Sequence, residues 1–80
     1  MHEAKLCLHL LDLATSHLAG AGGGRILALT IEVGHLSGVA PEALDRAFPI
    51  CAAGTPAEGA ELRIERALGR ELRLRDMEVL

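Results

Sequence analysis

The first three residues, Met1, His2 and Glu3, carry donor groups that can bind one metal ion together. The α-amine, the amide nitrogen of His2 and its imidazole form fused chelate rings, and the amide nitrogen of Glu3 completes a set of four nitrogen donors. Such a set suits square-planar Ni(II) or Cu(II). The Glu3 carboxylate is an alternative oxygen ligand or a group that holds the site in place. The competing interpretation is an ordinary solvated terminus.

The other histidines and the cysteines are weaker candidates. His9 and His17 are eight residues apart on one predicted helix, about 12 Å by helical rise, so they cannot share an ion within one chain. His35 lies in a predicted loop and stays open as a neighbour of the metal. Cys7 and Cys51 have no CxxC spacing, so we expect reduced thiols and no structural zinc site.

The composition excludes several classes of protein. The 80 residues hold 8 basic and 11 acidic side chains and a net charge of −3, which argues against nucleic-acid or anionic-membrane binding. No apolar run is long enough to span a bilayer, and polar residues interrupt the leucine-rich start, so we expect a cytoplasmic protein without a secretory signal. No nucleophile elbow or ordered Ser, His and Asp set indicates an enzyme.

Hydrophobic periodicity predicts the first three elements. Leucines at helical spacing predict a helix over residues 4–19, ended by a glycine-rich loop. The segment 25–33 predicts a strand that is covered on both sides or central in its sheet, with Leu27, Leu29, Ile31 and Val33 on one face. A second helix should begin at Pro41. Pro49 predicts a kink within it.

Two alternating segments predict the last strands. Residues 60–68 alternate with Leu62 and Ile64 inward, and residues 71–79 shift their alternation near Arg75 or Asp76, which indicates a bulge. We expect a hairpin between these strands with a three-residue loop at 67–69. The fold class is therefore α+β (α/β-like): a single domain, 1–80, in the order helix, strand, helix, strand, strand, with two helices on a mixed three-stranded sheet.

Several segments together resemble the HypA/HybF family of hydrogenase nickel-incorporation proteins. The Met1-His2-Glu3 start is similar to the family's nickel-binding start, and residues 71–79 are similar to its closing strand. Residues 54–65 continue the likeness. The central block, residues 31–48, resembles the family at Gly34, Leu36, Ser37, Gly38, Val39, Pro41, Glu42, Ala43, Leu44, Ala47 and Phe48.

The resemblance implies a metallochaperone that supplies Ni(II) for maturation of [NiFe] hydrogenase, and in some members of urease. It implies the Met1 amine, the His2 backbone and side chain, and the Glu3 backbone as ligands. It also implies a HypB-type GTPase and the [NiFe] hydrogenase large subunit as partners, while the oligomeric state stays open. The alternative is a maturation adaptor or scaffold that keeps the fold and partner surfaces but binds no metal.

One departure from the family concerns zinc. Family members normally insert a zinc domain with two CxxC pairs between the strand ending near Arg66 and the strand beginning near Glu71. Here only a tight turn near residues 67–70 joins the two strands. We therefore expect a single nickel-binding-type domain in which the zinc domain is absent and zinc is not a cofactor.

Overall fold

The structure, a computed structural model, describes residues 3–80, so Met1 and His2 lie outside the described residues. Two helices and three strands follow one another in the predicted order, which confirms the α+β fold. They are α1 (Glu3–Gly20), β1 (Ile26–Gly34), α2 (Pro41–Ala52), β2 (Glu61–Ala67) and β3 (Leu72–Val79).

The sheet has the strand order β2-β1-β3. Strand β1 is central, parallel to β2 and antiparallel to β3, as its apolar character on both faces predicts. The expected hairpin between β2 and β3 is therefore wrong. Ile64 and Leu74 do not pair with each other, because each pairs with Ile31 from opposite sides. Residues 68–71 instead carry the chain across the end of β1.

The predicted bulge in β3 is confirmed at Arg75. Thr30 pairs with Asp76 and the next residue, Ile31, pairs with Leu74, so Arg75 is passed over in the ladder. The extra residue explains why the alternation of the last segment shifts. Because the ladder passes over one residue at a bulge, the residues that face the core before and after it are an odd number of positions apart.

A second irregularity corrects the predicted core face of β1. Ile26 pairs with Val79 and Ala28 pairs with Glu78, so Leu27 is skipped. Leu27 is 48% exposed, whereas Ile26 is 2% exposed and belongs to the core. Strict alternation places Leu27 inside, and the irregularity moves that inward position one residue earlier.

Both helices pack on one face of the sheet. They share one hydrophobic core with the inward residues of β1, which include Leu29, Ile31 and Val33. Helix α2 continues through Pro49 to Ala52, and the kink at Pro49 stays a prediction. Neither helix of the described part of the chain is long and apolar enough to cross a membrane.

The other face of the sheet is charged. Arg63 contacts Glu61 and Glu78, and two further ion pairs join Arg73 to Glu32 and Arg75 to Glu65. Small residues on β1, Ala28 and Thr30, let the long side chains of the two outer strands meet above the central strand. Opposite charges that face each other across strands support the observed register.

Candidate metal centre at the start of the chain

Glu3 begins α1 and ties the start of the chain to the start of α2. It is 8% exposed, and it is the only charged residue that is buried among residues 3–80. Its Oε2 accepts a hydrogen bond from the backbone N–H of Ala40 at 3.3 Å. Ala40 is the N-cap of α2 and has no side-chain oxygen with which to cap the helix. The Glu3 carboxylate therefore stands beside the positive end of α2, where a negative charge is stabilised.

The ionised form of Glu3 is strongly favoured. Hydrogen bonds to the carboxylate, of which the Ala40 N–H supplies one of the smaller contributions, hold the pKa of Glu3 well below its usual value of 4.5. A carboxylate that receives several N–H groups keeps its charge well below neutral pH. A fixed negative charge thus lies next in sequence to His2, where it would stabilise a bound cation.

The structure describes only Glu3 of the three residues predicted to bind the metal. Met1 and His2 lie outside the described residues, so the ligand set Met1, His2 and Glu3 stays a prediction. Within residues 3–80, no group of three His, Cys, Asp or Glu side chains is placed to hold a metal ion.

The remaining histidines lie at the surface. His9 and His17 are exposed on α1. His35 is exposed as well, and its backbone N–H donates to the Ala67 carbonyl at 2.7 Å, which fixes it at the end of β2. There it lines a cavity of about 120 Å³ with Val39, among others. The backbone N–H of His35 is therefore hydrogen-bonded where the strands of the sheet end.

The two cysteines lie between α1 and α2 and are both free thiols. Cys7 is 1% exposed, and its Sγ lies 3.7 Å from the Leu44 carbonyl oxygen. Burial, and secondarily the nearby Cys51, raise the pKa of Cys7 from 9.0 to about 11. Cys51 is half-buried, with its Sγ 3.8 Å from the Ala4 carbonyl oxygen. Cys7 is thus a packing residue, since its thiol stays protonated at neutral pH.

Sequence reasoning missed the role of Ala40. The contact with Glu3 joins residues 37 positions apart, so no local pattern reveals it. One signal was present: a helix that begins with Pro41 and has alanine at its N-cap must find an acceptor for its first N–H groups elsewhere.

Fold and contacts together define a small α+β domain in which the Glu3 carboxylate, near the start of the chain, lies against the start of α2. Residues 1–72 match the family described as "Hydrogenase/urease nickel incorporation, metallochaperone, hypA", and the chain belongs to that family. The resemblance seen in the sequence is thereby confirmed for the family. A family of metallochaperones also agrees with the prediction that the chain is not an enzyme. The match ends where β3 begins, so the likeness of residues 71–79 stays a prediction.

Three relatives show how far the similarity reaches. The hydrogenase maturation factor HypA of Deinococcus radiodurans is 54% identical over 69 residues, which cover 86% of this chain and 58% of the relative. HypA of Geobacter sulfurreducens is 46% identical over 70 residues, with coverage of 88% and 61%. HypA of Chlorobium limicola is 43% identical over 65 residues, with coverage of 81% and 56%. The chain thus matches about three fifths of the length of these relatives.

Proposed function

We propose that this chain is a nickel metallochaperone that takes part in maturation of [NiFe] hydrogenase, with Ni(II) as its cargo. Membership of a nickel-incorporation family supports the metal, and the relatives are named hydrogenase maturation factors. The observation that carries the proposal is the buried Glu3 carboxylate, which is held at the start of α2 directly after His2.

The proposed ligands are the Met1 amine, the amide and imidazole nitrogens of His2, and the amide nitrogen of Glu3. The Glu3 side chain already accepts the Ala40 N–H. We therefore assign the Glu3 backbone nitrogen to the metal and give the carboxylate a positioning role. Nitrogen donors in one plane favour Ni(II) in square-planar geometry.

A nickel titration of the untagged protein tests this site, with mass spectrometry confirming that Met1 is retained. We expect one equivalent of Ni(II) with a square-planar absorption band. His2→Ala should lose the band and the binding. His9→Ala is the matched control, because His9 is an exposed histidine on α1, the helix that begins at Glu3, and it should bind as the unaltered chain does. Binding that survives in His2→Ala contradicts the ligand set. A chain that binds no nickel while still capturing its partners supports the adaptor alternative.

Two substitutions at Glu3 separate its backbone from its side chain. Proline is tolerated in the first turn of a helix and has no amide N–H to ionise, so Glu3→Pro should lose the square-planar band. Glu3→Gln keeps the amide nitrogen and an acceptor oxygen, so it should keep the band. If Glu3→Gln alone abolishes the band, the carboxylate is the ligand.

We further propose that the chain is one nickel-binding-type domain in which the connection 68–71 replaces the family's zinc domain. Support comes from the short passage between β2 and β3 and from the two cysteines, which lack CxxC spacing. Elemental analysis of protein purified without chelators should find no stoichiometric zinc. Stoichiometric zinc overturns this part.

The proposed partners are a HypB-type GTPase and the [NiFe] hydrogenase large subunit, and the proposed location is the cytoplasm. Purified partners should bind the untagged chain. The His2→Ala variant should still bind them but should not restore hydrogenase activity in cells that lack the chain's gene. Restoration by His2→Ala would favour the adaptor alternative.

A further inference from the structure

The outer edge of β2 offers backbone groups for a further strand. Among residues 3–80, β2 pairs only with β1 and forms one edge of the sheet. The Ala67 carbonyl accepts the His35 N–H at 2.7 Å, so it points toward β1. Because residues of a parallel strand bond alternately to one side and the other, the backbone groups of Leu62, Ile64 and Arg66 point outward.

The two edges of the sheet differ in regularity. Strand β3 carries the bulge at Arg75, a device that protects an edge from pairing. Strand β2 pairs with β1 over seven consecutive residues without a register shift. Charged side chains usually protect such an edge too, so their pattern decides whether β2 can pair.

The charges of β2 are complementary to themselves. When two β2 strands run antiparallel about Ile64, Ile64 lies opposite the partner's Ile64, and Leu62 lies opposite the partner's Arg66. These are the residues whose backbone groups point outward. Arg63 then lies opposite the partner's Glu65, in both halves of the pair. We propose that two copies of this chain form a homodimer by this antiparallel pairing of their β2 edges, centred on Ile64.

Neighbouring registers are disfavoured. A slip by two residues in one direction places Arg63 opposite the partner's Arg63, and in the other direction it places Glu65 opposite the partner's Glu65. Like charges directly opposite each other destabilise a strand pair. A register centred on Leu62 does pair opposite charges, but it needs the Ala60 N–H, which is already bonded to the Ala57 carbonyl at 2.9 Å.

The side chains next to the edge fit this arrangement. Ile64 and Leu62 are only half-buried and line an open groove of about 270 Å³ beside Pro41. The partner's Ile64 would cover the exposed part of Ile64. Arg63 already contacts Glu61 and Glu78, but a guanidinium has five N–H donors and can accommodate another carboxylate.

Sedimentation of nickel-free protein tests the dimer. The unaltered chain should reach twice the 8.4 kDa chain mass at high concentration. Arg63→Glu and Glu65→Arg each replace two attractive cross-strand pairs with two repulsive ones, so each should raise the dimer dissociation constant by about tenfold or more. A mixture of the two variants should form a heterodimer. At positions 63 and 65 one chain then carries two acidic side chains and the other carries two basic ones, so both cross-strand pairs are attractive again.

Arg75→Gln is the control. It removes the 2.8 Å intrachain contact of Glu65 without changing β2, so the dimer should remain. Circular dichroism confirms that each variant is folded. The proposal is overturned by an unaltered chain that stays monomeric, by dimers that neither charge reversal weakens, or by folded variants that do not associate when mixed. It does not rest on the proposed nickel function, and Arg63→Glu should still bind one Ni(II).

Discussion

Gly34→Ala is the substitution that most directly tests how the chain passes from β2 to β3. The connection 68–71 crosses over the end of β1 at Gly34. A Cβ added there would collide with the Gly69 carbonyl oxygen and would lie 2.6 Å from the Glu71 nitrogen and 2.7 Å from the Gly69 carbonyl carbon. These are all backbone atoms, so no side chain can rotate away to make room.

The expected loss of stability is large for a domain of this size. Forcing an extra methyl group into a packed site costs about 1–3 kcal/mol. The connection is also held by Gly34 N–H to the Glu71 carbonyl at 2.6 Å and Leu36 N–H to the Gly69 carbonyl at 2.8 Å, and weakening either adds about 1 kcal/mol. A total of about 2–4 kcal/mol lowers the melting temperature by about 8–32 °C. The whole free energy of unfolding of such a domain is only about 4–12 kcal/mol.

Thermal and urea unfolding followed by circular dichroism measure the effect. Gly20→Ala is the matched control, because Gly20 lies in α1 with nothing within 4 Å of the new Cβ. This substitution should raise the free energy of unfolding by between 0 and about 1 kcal/mol. Gly69→Ala meets only the flexible Glu71 side chain and should be milder than Gly34→Ala. If Gly34→Ala stays within about 0.5 kcal/mol of the unaltered chain, the connection does not cross β1, and the hairpin between β2 and β3 regains support.

Three further predictions concern helix α2 and its neighbour α1. Ala40→Ser supplies the N-cap oxygen that α2 lacks and should raise the free energy of unfolding by about 0.5–1 kcal/mol, measured by urea unfolding; no gain would mean that Glu3 already satisfies the helix start. At neutral pH, Cys7 should react with iodoacetamide at least about a hundredfold more slowly than in the unfolded chain, because its pKa is about 11 rather than 9.0, while mass spectrometry should find Cys51 labelled first. The same shift makes stability fall between pH 9 and 11, where the unfolded chain releases the Cys7 proton before the folded chain does; an equal fall in Cys7→Ala would refute this cause.

Local patterns predicted the elements well because each depends on nearby residues. The leucine spacing of α1, the glycine that ends it and the branched run of β1 are all read within one turn or a few residues. The bulge at Arg75 was also predicted, because a bulge leaves a visible shift in alternation. Leu27 shows the limit: its neighbours are all apolar, so alternation alone could not reveal that a skipped position turns it toward solvent.

The order of strands could not be predicted in the same way. Alternation tells which residues share a face, but it does not tell which strand lies next to which. Leu62 and Leu72 can share a face as direct neighbours or on either side of β1. The short connection between β2 and β3 favoured a hairpin. The strongly apolar β1 is instead most stable when a strand pairs with each of its two edges, as β2 and β3 do. The capping of α2 by Glu3 was equally hidden, since it joins residues 37 positions apart.

The first turn of α2 links the two proposals. The Ala40 N–H donates to the carboxylate of Glu3, which follows the proposed ligand His2 in sequence, and the next residue after Ala40, Pro41, lines the groove beside β2. Antiparallel pairing of two β2 edges places the twofold axis perpendicular to the sheet, so all four helices lie on the same face of a six-stranded sheet. The two Glu3 carboxylates, which directly follow Met1 and His2 in sequence, then also lie on that face, and the charged faces join into one surface on the opposite side of the sheet. Because the edge charges and the nitrogen ligands belong to different residues, Arg63→Glu should separate the copies without releasing nickel, and His2→Ala should release nickel without separating the copies.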